Sequence, residues 1–282
     1  MPPRILVAPG SGDIHWVMLK MESLIKKRFN GERPEVWVWC EAKSTRRSEG
    51  YVRRIPFVDW GGYFDATAHH AYGSQVFIRG NPWMVDNWKG FDLFIALNAP
   101  LGWGTPWKEI LPKHETNWDY EIRLDKLDHR CGEEVYLGHG DYIVVWFCGH
   151  SFYKGWLNSF GVQKIHALIS SLGMHGKVVL TGAKWDEPFM RQFAHPDCLN
   201  LVGKTTMGDL LGLLQHAKAY VGFAAGQGML AQHMGTKTFL LWRSNQWNSK
   251  FLTNWVDPKK NKTVYHALDV AAPCTPYILE RL

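Results

Sequence analysis

From Tyr142 onward the chain alternates between short apolar runs and stretches of helical periodicity, and this alternation restricts the possible fold more than any other feature. The runs YIVVWF (142–147), KVVLTG (177–182), NLVG (200–203), AYVGF (219–223) and TFLLW (238–242) read as strands. Helical patterns lie between them, near 158–172, 187–193, 207–217 and 228–234. Strands that alternate with helices imply right-handed βαβ units and a parallel sheet covered on both faces. The chain opens in the same way: strand RILVA (4–8), a glycine turn, and a helix over about 14–28, with Val17, Leu19, Leu24, Ile25 and Phe29 at broadly helical spacing. EVWVWC (35–40) and FDLFIAL (91–97) follow as strands, whereas 99–140 is irregular and rich in Gly, Pro and charge, as a connection between domains is. The expected architecture is α/β, two Rossmann-like domains over 1–139 and 140–282 facing a cleft that takes the ligand.

The 282 residues suffice for two such domains. No apolar run is long enough to span a bilayer and the N-terminus lacks a signal-peptide pattern, so a cytoplasmic protein without a transmembrane segment is expected. Cys40, Cys131, Cys148, Cys198 and Cys274 are widely spaced and form no CxxC pair, which argues against a disulfide framework and against a zinc site. Net charge is +6, and much of the excess sits in KSTRRSEGYVRR (43–54), where Lys43, Arg46, Arg47, Arg53 and Arg54 face one Glu. Such a segment is either a solvated loop or a holder of a polyanion such as nucleic acid, an anionic glycolipid or a membrane surface. Several of the fifteen Trp lie in glycine-rich stretches, where they either pack or stack on sugars and bases.

The glycine turn GSGDIHW departs from a dinucleotide-binding fingerprint, because His15 stands where the third glycine belongs and Asp13 follows the second. A carboxylate at the carboxyl edge of a parallel sheet can act as a general base. Asp is equally a preferred helix N-cap. His15 and Gly12 are candidate acceptor contacts, His15 having an ordinary surface or core histidine as its alternative. In the second half, GFAAGQGMLA (222–231) has the form of a glycine turn opening a helix, whose free amides and positive dipole end suit a diphosphate. Gly226 and Gly228 would let the backbone approach phosphate and Gln227 could donate to it; the other reading is a turn needed for βα packing. Thr205 and Thr206, after Gly203 and Lys204, are candidate phosphate or ribose contacts, although GKTT lacks the earlier glycine of a Walker motif.

LVGKTTMGDLLGLLQHAKAYVGFAAGQGMLAQHMGTKTFLLW (201–242) resembles the donor-binding domain of glycosyltransferase family nine, the lipopolysaccharide heptosyltransferases. CGHSFYKGWLNSFGVQKIHALISSLGMHGKVVLTGA and the opening RILVAPGSGDIHWVMLKMESLIKKRF are similar to other stretches of that family, whereas 60–135 show little of it. The resemblance implies a GT-B architecture, with an acceptor domain followed by a nucleotide-sugar domain. Asp13 would then be the general base and Lys154 the residue neutralising donor phosphate. Where the family carries an Asp and a His that contact the donor, this chain has Ala224 and Met229, so the donor pocket differs. No DxD-like acidic pair stands in a turn, so transfer without a metal or other cofactor is expected. The implied function is transfer of a hexosyl, heptosyl or pentosyl group to a hydroxyl of a polyanionic acceptor. That acceptor is either a lipopolysaccharide core glycan, with peripheral membrane contact, or a hydroxymethylated DNA base, as in a phage enzyme. A non-catalytic sugar-nucleotide or glycan-binding module is the alternative, against which the presence of Asp13 counts.

Overall fold

The computed structural model describes residues 1–7, 11–39, 41–43, 52–54, 74–78, 91–95, 114–118, 122, 141–148, 161–223, 225–242, 264–268 and 274–282. The chain divides into two units, Met1–Asp128 and His129–Leu282.

The first unit is built on a parallel sheet of β1 (Arg4–Val7), β2 (Glu35–Trp39), β5 (Ser74–Ile78) and β6 (Leu93–Ile95), in the order β5-β2-β1-β6. Ile5, Leu6 and Val7 are buried, as expected of a strand covered on both faces. After β1 come α1 (Ser11–Leu19) and α2 (Met21–Arg28). The single helix expected over 14–28 is therefore two, broken at Lys20, whose φ of −105° and ψ of 1° leave the helical region. The basic segment expected as a loop has its ends in an antiparallel ribbon of β3 (Glu41–Lys43) and β4 (Val52–Arg54), which pairs Glu41 with Arg54, Ala42 with Arg53 and Lys43 with Val52.

The second unit holds a six-stranded, wholly parallel sheet of β7 (Tyr142–Trp146), β8 (Lys177–Leu180), β9 (Cys198–Asn200), β10 (Ala219–Phe223), β11 (Thr238–Trp242) and β12 (Val264–Leu268), in the order β12-β11-β10-β7-β8-β9. Among its described residues the helices are α3 (Val162–Gly173), α4 (Glu187–Met190), α5 (Met207–His216), α6 (Gly226–His233) and α7 (Cys274–Leu279). The helix α3 buries Ile165, Leu168, Ile169 and Leu172, one stripe at i, i+3, i+4 and i+7, each worth about 1.5–3 kcal/mol when fully buried. Every residue of β7 and β10 is buried, and beyond β7 the ring of Phe147 meets Phe193 and Phe223 edge-on, both at 5.8 Å between centroids. The strand expected at 200–203 lies earlier, because β9 pairs with β8 through Cys198, Leu199 and Asn200 and the chain then turns through Gly203 at φ +72°.

Numbered within its own unit, the second sheet has the strand order 3-2-1-4-5-6 and the first has 3-2-1-4. Each order reverses beside its first strand, between β7 and β10 in the second unit and between β1 and β6 in the first. Among the described residues no helix is long and apolar enough to cross a membrane.

Candidate functional site

In open α/β sheets, ligands bind beyond the carboxyl ends of the strands where the order reverses. In the first unit that place is fed by β1, which ends at Val7 and leads to α1. Asp13 is the third residue of α1, inside its first turn rather than on the preceding turn. This corrects the N-cap reading, since an N-cap precedes the first helical residue, here Ser11. A carboxylate in the first helical turn is favoured by the positive end of the dipole. Gly12 is buried, and His15 is 0% exposed, which of its two readings favours the ordinary histidine over the acceptor contact. Lys43, Arg53 and Arg54 lie on the β3–β4 ribbon. Arg46, Arg47, Lys154 and Ala224 lie outside the described residues.

In the second unit the reversal brings the end of β7 beside the start of α6. Ala225 precedes α6 in extended conformation and offers no side-chain cap; its carbonyl accepts from the N–H groups of Gly228 (3.0 Å) and Met229 (3.3 Å). The Gly226 and Gln227 amides are the first of the helix and have no acceptor within it. Gly226 is partly exposed, whereas Gln227 is buried and its Oε1 accepts a hydrogen bond from the Thr181 hydroxyl at 2.9 Å, tying the end of β8 to α6. The Gln227 side-chain oxygen thus faces protein, which narrows its expected donor role to its backbone amide and side-chain nitrogen. Gly228 is small for packing: a Cβ there would collide with Leu240 Cδ2 and touch the Tyr220 ring, so the βα-packing reading holds for it.

Thr206 also departs from expectation. It is the N-cap of α5: its hydroxyl accepts from the Asp209 N–H at 3.1 Å, and the Asp209 carboxylate accepts from the Thr206 N–H at 2.8 Å. This reciprocal capping box occupies a buried hydroxyl that was expected on a phosphate or ribose. Thr205, partly exposed, immediately precedes it.

Three features of this edge escaped the sequence reading. Asp186 is buried and accepts from the Trp146 indole N–H (3.1 Å) and the Ala183 N–H (3.0 Å), fixing the turn after β8 against the end of β7. Thr181 supplies the bond to Gln227. Glu187 is held below the usual carboxylate range by the hydrogen bond and charge of Lys184, 2.5 Å away, with Arg191 and Lys204 adding to it. The i, i+3 and i, i+4 spacing of Lys184, Glu187 and Arg191 was the available signal, but only the fold brings Lys204 beside them. Three cations around one carboxylate leave this rim positive. Among the described residues no group of three or more His, Cys, Asp or Glu is placed to hold a metal.

The two units, each with its strand-order reversal, give an α/β fold similar to that of solved glycosyltransferases. Among solved structures, the chain is similar to the Escherichia coli ADP-heptose lipopolysaccharide heptosyltransferase II, with a TM-score of 0.55 and 12% identity over 99% of this chain and 97% of that one. It is also similar to a glycosyltransferase family 9 protein from Veillonella parvula, with a TM-score of 0.52 and 11% identity over 94% of this chain and 86% of that one. No protein-family model and no curated protein matches the sequence.

Proposed function

We propose that the protein is a glycosyltransferase that moves a sugar from a nucleotide-sugar donor to a hydroxyl of a polyanionic acceptor, with inversion. The observation that carries this reading is the coincidence, in each unit, of the strand-order reversal with the segment bearing candidate residues: α1 with Asp13, and the first turn of α6. The likeness to the ADP-heptose lipopolysaccharide heptosyltransferase supports a nucleotide-sugar donor. Asp13 takes the proton of the acceptor hydroxyl as its oxygen attacks the anomeric carbon. The bond from that carbon to the diphosphate breaks, and the departing anion is stabilised by the α6 amides, Lys154 and the positive rim at Lys184, Arg191 and Lys204. Thr205 and Gly226, both partly exposed, are the backbone neighbours of that anion. Lys43, Arg46, Arg47, Arg53 and Arg54 neutralise acceptor phosphates or carboxylates.

The test is mass-spectrometric detection of transfer from pooled nucleotide sugars to a lipopolysaccharide core acceptor and to hydroxymethylated DNA, with and without a chelator. A mass increment that persists with chelator and is lost in Asp13→Asn supports the reading and identifies the acceptor. Donor binding with no increment on either acceptor gives way to a sugar-nucleotide-binding module.

A further inference from the structure

Lys20 stands at the break between α1 and α2, and its long side chain is only 1% exposed. Its Nζ donates to the carbonyl oxygen of His114 at 2.6 Å, a residue 94 positions away. Four more contacts bind the same segment. The Asn117 N–H donates to the Leu19 carbonyl at 2.7 Å, at the end of α1, where a helix leaves carbonyls unpaired. The Glu115 N–H donates to Ser23 Oγ at 3.1 Å, and that hydroxyl lies 3.4 Å from His114 Nδ1. At the rim, Lys27 pairs with Glu115 at 3.2 Å.

An ammonium taken out of water is costly, and methionine would fill nearly the same volume without that cost. What the lysine adds is a short charge-assisted hydrogen bond to the His114 carbonyl, which methionine cannot make. We propose that Lys20 is a positioning residue: it anchors residues 114–118 as a strap across the α1–α2 junction and so fixes the helix that carries Asp13. The strap grips the rear of a nine-residue helix, about 13 Å from end to end, so a shift at the junction is carried to the first turn. An error of about 1 Å in a reacting group costs on the order of 100-fold in rate. This inference rests on Asp13 as the base for its catalytic consequence, but the strap itself stands on geometry alone.

The experiment is amide hydrogen exchange on the full chain, comparing wild type with Lys20→Met and Ser23→Ala, read separately over residues 114–118 and 11–19. In Lys20→Met, exchange over 114–118 should quicken by about tenfold or more, with a smaller rise over 11–19, and kcat should fall while donor KM holds. Unchanged exchange over 114–118 overturns the anchor. Faster exchange there with α1 and kcat unaffected overturns the positioning role. Should Lys20→Met fail to fold, Ser23→Ala carries the same test, since it removes a second strap contact and leaves the amine in place. If Asp13→Asn retains full transfer, the catalytic reading falls, while the coupling of exchange between 114–118 and 11–19 is still decided by these measurements.

Discussion

The two strand-order reversals share a topology and differ in electrical sense. At β1 the following helix carries an acid in its first turn, with Gly12 and His15 sealed into the core beside it. At β10 the following helix begins with Gly226 and Gln227, whose amides have no acceptor within the helix, and the neighbouring rim carries Lys184, Arg191 and Lys204 around Glu187. Under the proposed function, one reversal removes a proton and the other receives an anion. The scaffold supplies a helix start at each edge, and the first few side chains decide what it does.

The sharpest break of this contrast is Asp13→Asn, which keeps shape and removes charge. Transfer should fall by about 100- to 10,000-fold with donor affinity by calorimetry unchanged. Next comes the pH dependence of Lys20, whose amine is pushed down to about 8 by burial first and by the charge of Lys27 second. Below about pH 8 the folded chain holds a buried ammonium; between about 8 and 10.5 only the unfolded chain keeps that proton. Stability from this group therefore rises with pH across that window, by at most about 3 kcal/mol. The difference between wild-type and Lys20→Met urea midpoints should change in that direction from pH 7 to pH 10.

The second reversal is tested by smaller changes. Gly222→Ala forces a methyl against the Trp146 carbonyl, which is backbone and cannot swing aside, and should cost about 1–3 kcal/mol in denaturant melts. Thr206→Ala removes the cap of α5 and should cost about 1 kcal/mol while leaving donor affinity unchanged; a large loss of affinity would restore Thr206 to the donor site. Tyr220→Phe should be the mildest. Its hydroxyl is buried and has no partner among the described residues, and burial pushes its ionisation upward. Its loss should raise the melting temperature slightly, by no more than about 1 kcal/mol in stability.

The second sheet was legible because parallel strands buried on both faces read as unbroken apolar runs, as YIVVW and AYVGF do. The break at Lys20 was not, because the apolar spacing continues through it and the lysine is buried by a segment 94 positions away. The strands β5 and β12 were missed because their pairing with β2 and β11 is long-range. Asp13 could be placed near β1 from its glycine turn alone. Thr206 could not be assigned, since a hydroxyl after lysine suits a phosphate or a helix end equally, and only the returning bond from Asp209 decides. The basic segment read as a loop because the strand pairing of its ends leaves no apolar alternation to see.

The contact between Gly228 and Leu240 has a consequence for the routes by which this sequence can change. Leu240 Cδ2 is the movable end of a side chain, so the barrier to a larger residue at position 228 is set by position 240 and not by the backbone. The two positions are therefore expected to change in a fixed sequence. A shortened residue at 240 opens the way for alanine at 228, whereas alanine first must cross an overpacked intermediate.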